Sequence, residues 1–261
     1  MSTLYRRELP FMIIAPQKTL IQMRIAYNTK VYEQVNNIIL KHRIKPIHIS
    51  SRYTNDLIEC DAVLDVSEAS PIEVVVEELK AIPGVGEVLV SKPKQGFIVD
   101  TIYFPLTARG GVPVMTFSIE MLAKMLMNFK KLYGSGAFSM LYEMGKDYGA
   151  GIGKHFKSIA LSARPFTSSR ELIDEFFNFM RSAGWFMPEI ELSEGDKPSA
   201  VIKLRECFED RHGERTSEPN CPYVRGFLTG FFNSIYGKDF TSQEVKCISR
   251  GDPYCEFQLT T

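Results

Sequence analysis

Residues Glu244–Leu259, EVKCISRGDPYCEFQL, decide how the C-terminal half is read. Glu244–Ser249 and Cys255–Leu259 have strand character, and Arg250-Gly251-Asp252-Pro253 between them is turn chemistry. The spacing predicts a hairpin whose tight turn brings Cys247 and Cys255 within reach of one ion. Upstream, Cys221 stands just before a helix predicted over Pro222–Tyr236, with Val224, Phe227, Leu228, Phe231 and Ile235 at core spacing. That helix would pack on the hairpin and carry Cys221 to the other two cysteines. Backbone N–H groups at its first turn favour a thiolate there.

The candidate metal set is therefore Cys221, Glu244, Cys247 and Cys255, with 22, 2 and 7 residues between successive members. Soft thiolates with one carboxylate suit Zn2+, and four protein ligands close a tetrahedron without leaving a place for water, which points to a structural rather than a catalytic metal. In a regular strand residues 244 and 247 face opposite ways, so Glu244 must precede the strand or sit on a bulge. Three thiolates and a carboxylate around Zn2+ leave a surplus of negative charge, and Lys246 and Arg250 are the nearest candidates to offset it. A buried reduced cysteine cluster and a redox pair are the alternatives; no Cys-x-x-Cys is present. Cys207 is a spare thiol near the set, and Cys60 alternates with apolar residues like a core cysteine.

Outward from the hairpin, helices are predicted over Ser118–Tyr133, Ala137–Phe156 and after Ser168, where Ser168 and Glu171 have capping-box spacing. Phe186–Leu192 and Ala200–Cys207 read as strands. Gly149-Ala150-Gly151-Ile152-Gly153-Lys154-His155 resembles a phosphate loop only superficially: Tyr148 stands where the first glycine belongs, and His155 replaces the magnesium-binding hydroxyl. Gly145, Gly149 and Gly153, four apart on one helical face, predict a close approach by another element. His42, His48 and His212 are isolated and read as solvated or structural, and the charged run 209–215 reads as an exposed loop.

In the first half, Ile21, Met23, Ile25 and Tyr27 alternate with polar residues; Val31–Leu40 has helical spacing; Pro46–Ser51 and Leu57–Val66 look like a strand pair. A helix starts after Ser70, with Pro71 at its first position and Glu73 at capping-box distance, and Glu87–Val90 is a last short strand. The order βαββαβ is ferredoxin-like, and Lys92–Gly111 reads as the junction. The fold class is α/β (α+β), with domains over residues 1–100 and 101–261.

The 261 residues carry 31 basic and 31 acidic side chains and are 44% hydrophobic, a balance that argues against bulk nucleic-acid or membrane-surface binding. Four of five cysteines follow residue 206, which in a reducing compartment suits metal ligation better than disulfides. With no apolar run of spanning length and no signal-type leader, the expectation is a soluble cytoplasmic protein.

Two resemblances extend this reading. Val75–Ser91, VVEELKAIPGVGEVLVS, is similar to the second half of an ACT domain, a ferredoxin-like module that usually pairs and often binds an amino acid near its first strand–helix loop. Here that loop is Tyr27-Asn28-Thr29-Lys30-Val31: Asn28 matches the family's polar position, and the usual Pro-Gly is absent. Gly251-Asp252-Pro253-Tyr254-Cys255, the stretch Leu141-Tyr142-Glu143-Met144-Gly145 with Gly149, and the Cys–Glu–Cys–Cys spacing resemble the zinc-bearing branch of the 4-vinyl reductase domain family. That resemblance covers about residues 105–261. It implies an antiparallel sheet covered by helices, a bracing zinc and an apolar pocket for a small hydrophobic or aromatic ligand, as in sensory domains of phenol-responsive transcription activators.

For that pocket the candidates are Trp185, Tyr142, Phe227, Phe231 and His155, with Arg205 as a further polar group; Trp185 leads because its indole N–H can direct a ligand. Together these readings imply a non-enzymatic homodimeric sensor that passes its output to a protein partner, with transcription regulation as the candidate output. The alternatives are a reductase-like enzyme and a non-catalytic scaffold subunit. No dinucleotide fingerprint or nucleophile–base pair supports catalysis.

Overall fold

The structure, a computed structural model, describes Leu9 and residues 11–108, 111–210 and 215–261. It divides into two compact units, Met1–Ala108 and Arg109–Thr261. Among the described residues no helix is long and apolar enough to cross a membrane.

The first unit runs β1 (Met12–Asn28), α1 (Tyr32–Lys41), β2 (Lys45–Thr54), β3 (Leu57–Asp65), α2 (Ile72–Lys80), β4 (Val85–Val90) and β5 (Lys94–Val99). Its sheet has the order β2-β3-β1-β4, with β5 also paired to β1. The alternation in β1 sends Ile21, Met23, Ile25 and Tyr27 into a core shared with Val35 of α1 and with Val75 and Leu79 of α2. β1 is longer than its alternation alone implies because Met12–Ala15 pairs antiparallel with Val99–Gly96. The expected junction therefore begins with a strand, which crosses to the far end of β1. Gln22 then fixes the chain beyond β5: its amide donates to Asp100 Oδ1 (2.8 Å) and its carbonyl accepts from the Thr101 N–H (3.1 Å).

Two local expectations need correction. Pro71 is the N-cap of α2 with extended ψ, so the helix starts one residue later and neither Pro71 nor Ser70 caps it through a side chain. His42 is buried rather than solvated, with Nε2 3.1 Å from the Glu78 carboxylate of α2.

The second unit contains α3 (Ile119–Tyr133), α4 (Ser135–Ala163), α5 (Ser169–Ser182), β6 (Met187–Ser193), β7 (Ser199–Arg205), α6 (Pro222–Tyr236), β8 (Thr241–Lys246) and β9 (Cys255–Thr260). The four strands form an antiparallel sheet in the order β8-β9-β7-β6. Ala200, Ile202, Leu204, Phe257 and Leu259 join Phe176 and Phe177 of α5 and Phe227, Leu228, Phe231 and Phe232 of α6 in one core.

Helix α6 is buried nearly all round, and glycines allow this. A Cβ at Gly149 would stand 2.8 Å from the carbonyl carbon of Phe227, and one at Gly230 would stand 2.8 Å from that of Lys146. Gly145 and Gly226 meet the opposite backbone in the same way. The glycine row is thus the seam of a backbone-to-backbone helix crossing.

Ser168 caps α5 as expected, accepting from the Glu171 N–H (3.2 Å). The Glu171 carboxylate accepts from the Thr167 N–H and Oγ1 and pairs with Arg164, contacts that hold it down at about 2 from an ordinary 4.5. Because the folded value is depressed, this anchor is complete above pH 4.5 and is lost as pH falls toward about 2. Glu171→Gln is therefore expected to remove the part of α5's hydrogen-exchange protection that declines over that acid window. An unchanged acid profile in the variant would contradict the assignment.

Candidate metal centre

The β8–β9 hairpin builds one side of the site. Its register runs Glu244↔Phe257 and then Lys246↔Glu256, a bulge of the kind that the placement of Glu244 required. Cys247 follows, and the chain turns through Ile248–Arg250 to Gly251, whose φ of 107° suits glycine. Asp252 closes the turn from both directions: its N–H donates to the Cys247 carbonyl (3.1 Å) and its Oδ2 accepts from the Cys247 N–H (2.9 Å). Cys255, the first residue of β9, then lies beside Cys247.

Cys221 is the N-cap of α6, and its N–H donates to Glu244 Oε2 at 2.9 Å. Its sulfur lies 3.9 Å from that of Cys255. The hairpin and α6 thus bring Cys221, Cys247 and Cys255 together, all fully buried.

A residue outside the expected set joins them. Asp210 Oδ2 lies 3.2 Å from Cys247 Sγ and 3.5 Å from Cys255 Sγ, and it accepts from the Ser249 N–H at 2.6 Å. Donor atoms of Asp210, Cys221, Cys247 and Cys255 all lie within 4.8 Å of one another and could hold a metal ion. Glu244 is at the same place, buried, in contact with Cys221 and within the field of Cys247. Cys207 is no bystander: buried, it hydrogen-bonds with Cys221 and Cys255. Glu209 and Asp210 are buried as well, which corrects the expectation of an exposed loop there; His212 lies outside the described residues.

The electrostatics favour a cation. Burial and then the Cys247 sulfur push Glu244 up to about 9, and the same causes push Asp210 up to about 6. Burial drives Cys221 well above its ordinary value. One oxygen of each carboxylate, Asp210 Oδ1 and Glu244 Oε1, is buried without a protein partner. Buried acids that crowd one another and leave acceptor oxygens unmatched are what a divalent ion satisfies. The sulfur-rich donor set fits Zn2+ in particular.

The expected charge compensation is not realised: Lys246 pairs with Glu256 (2.9 Å) and Tyr254 (3.0 Å), and Arg250 pairs with Asp252. Backbone N–H groups point at the site instead, from Asn220 to Cys247 Sγ (3.3 Å), from Cys221 to Glu244 and from Ser249 to Asp210.

Helix α6 also carries the aromatic groups. Phe231 stacks on Phe176 at 3.9 Å, and Phe227 lies 4.9 Å from Trp185. Trp185 stacks on Tyr148 (5.6 Å) and meets Phe208 edge-on (5.1 Å). The structure thus gathers Trp185, Phe227 and Phe231. Tyr142 is placed elsewhere, its hydroxyl 3.3 Å from Thr229 Oγ1 and its ring under the Arg225 guanidinium. His155 is exposed on α4, and Arg205 pairs with Glu189 at the surface. In the first unit, Asn28 Oδ1 accepts from the Lys30 N–H and caps the short turn Thr29–Val31.

Comparison with known proteins gives three findings. The 4-vinyl reductase domain family model matches residues 200–261. Two uncharacterized proteins of Methanocaldococcus jannaschii are similar in sequence. MJ0150 is 20% identical over 124 residues, which is 48% of this chain and 65% of that protein. MJ0855 is 25% identical over 154 residues, 58% of this chain and 55% of that protein. The chain thus spans less than two thirds of the length of both relatives. The phenol-responsive sensory domain of the transcription activator PoxR, solved with phenol, shares the fold over 58% of this chain and 78% of its own, with a TM-score of 0.51 and 16% identity.

Proposed function

We propose that the second unit is a zinc-braced sensory domain of the 4-vinyl reductase type that takes a small hydrophobic or aromatic ligand. Its output passes to a protein partner, as in transcription regulation, and the ACT-like first unit pairs two copies of the chain. One observation carries the reading: a single buried helix, α6, bears Cys221 of the thiol cluster at its N-cap and, one to three turns later, Phe227 and Phe231 of the aromatic core. In this reading Cys221, Cys247 and Cys255 hold zinc with a carboxylate from Glu244 or Asp210. The metal fixes the start of α6, so a ligand that separates the rings around Trp185 has a rigid element to work against. The half-buried Trp185–Tyr148 pair is where an aromatic ring meets the least resistance, because Tyr148 is 45% exposed. A ligand that binds one arrangement of these rings better than another shifts the population toward it.

Trp185 is the sole tryptophan of the chain and reports on its own site. Titration with phenol or a short alkylphenol is expected to quench or shift its emission saturably and to raise the melting temperature of the second unit. Emission and melting both unchanged at millimolar ligand would reject the aromatic-ligand reading. Elemental analysis is expected to find about one zinc per chain, independently of that result.

A further inference from the structure

Residues 207–210 send four consecutive side chains to four destinations. Cys207 joins the thiol cluster, and Phe208 packs on Trp185. Glu209 accepts from the N–H groups of Tyr223 (3.3 Å) and Val224 (2.9 Å) at the start of α6. Asp210 reaches Cys247 and Cys255. The Glu209 side chain is completely buried, and its one cationic partner among the described residues is Lys130 of α3, at 2.9 Å.

Lys130 is itself only 7% exposed, and its ammonium also donates to the Asn220 carbonyl at 2.5 Å. Asn220 in turn gives its N–H to Cys247 Sγ. One ammonium from α3 therefore grips both chain segments that enter the cluster, the one ending in Asp210 and the one ending in Cys221. The rest of α3 is held by a narrow seam, with Ala123 and Leu126 its other buried residues, while Met121, Met125 and Leu132 face outward.

We infer that Lys130 is a latch that couples helix α3 to the metal centre, so that metal occupancy and the docking of α3 stabilise each other. The coupling follows from geometry. A metal held by Cys221 and by Asp210 or its thiol neighbours fixes the spacing between Glu209 and Asn220, and that spacing is what the ammonium spans. Without the ion, the crowded acids separate, one acceptor moves, and a buried ammonium with an incomplete set of acceptors drives α3 outward. Linkage makes the effect reciprocal: whatever releases Lys130 must also loosen the metal. Lys130 is thus a positioning residue. The inference rests on the metal reading given above.

The test uses the full chain loaded with zinc. Zinc content is measured first, and a metal-free wild-type protein rejects the metal reading itself. With zinc present, its transfer to a chromophoric chelator is timed alongside hydrogen exchange over residues 119–133. Lys130→Met is expected to speed zinc transfer about five- to a hundredfold and to speed exchange in α3. Lys124→Met, exposed on the same helix, and Ile173→Val, which thins the core from α5, are expected to leave zinc transfer within about twofold of wild type. If Lys130→Met fails to fold, Glu209→Gln, which keeps the caps on α6 and removes the charge, is expected to act in the same direction. Zinc transfer at the wild-type rate in a variant whose α3 exchanges fast would overturn the coupling. Equal acceleration by Ile173→Val would overturn it too, since loss of stability would then explain the release.

Discussion

Cys247→Ser is expected to strip the chain of its metal and to unfold the second unit at temperatures where the wild type is intact. Cys247 is where the cluster's segments meet. Its sulfur receives the Asn220 N–H, touches Asp210 and Ser249, and lies with Cys221 and Cys255 inside one ligand sphere. A serine hydroxyl is a poor zinc ligand, so the substitution removes a metal bond while leaving the packing volume nearly unchanged. Structural zinc contributes about 10–16 kcal/mol of apparent binding energy, against about 5–15 kcal/mol for the whole stability of a typical domain. Loss of the ion also leaves Glu244, Asp210 and the remaining thiols buried without the cation that would balance them. The matching control is Cys60→Ser, half-buried in β3 of the other unit and outside the cluster, for which a change of about 1 kcal/mol is expected. Calorimetry with zinc analysis on the same samples decides the matter. A Cys247→Ser protein that melts with the wild type would show that the cluster does not brace the fold.

The three cysteines of the cluster were legible because metal chemistry restricts residue type and spacing together. Cys247 and Cys255 sit on either side of a turn signal, and Cys221 stands one residue before a proline that starts a helix. The bulge at Glu244 was legible by contradiction, since a regular strand cannot aim residues 244 and 247 the same way. Asp210 and Cys207 were not legible. The sequence around them is dense in charge, and charge density normally signals solvent. The burial comes from partners far along the chain, Lys130 for Glu209 and the Ser249 N–H for Asp210. The visible hint was Cys207-Phe208 directly before the two acids, a sulfur and a ring that have little reason to sit on an exposed loop.

In the first unit, alternation revealed the central strands but not β5 or the first third of β1. There the apolar residues Phe97, Ile98 and Val99 run together rather than alternate, and Phe97 and Val99 remain half exposed. A two-stranded extension with one open face has no strong period to read. The pocket residues divided for a related reason. Phe227 and Phe231 follow from helical spacing toward a core, whereas His155 was selected for its chemistry alone and lies on the exposed side of α4. Residue type without a placement does not locate a site.

Gly149→Ala is expected to cost more stability than any other single-methyl addition in α4. The added Cβ would meet the Phe227 carbonyl group of α6, a backbone that cannot rotate aside as a side chain can, with the carbonyl carbon only 2.8 Å away. Relief requires the two helices to part. Parting them breaks the aromatic stacking of Phe231 on Phe176 and shifts the helix whose first turn follows Cys221. Overpacking of this kind costs about 1–3 kcal/mol when neighbours yield and more when they do not, so a loss of at least about 3 kcal/mol is expected here. Gly151, two residues away in the same helix, faces open space with no atom within 4 Å of its added Cβ. There the same substitution is expected to stabilise by about 0.5–1 kcal/mol through the better helix propensity of alanine. Denaturant melts of the two variants therefore move in opposite directions. Two destabilised variants of similar size would mean that helix α4 resists substitution for some reason other than the glycine seam.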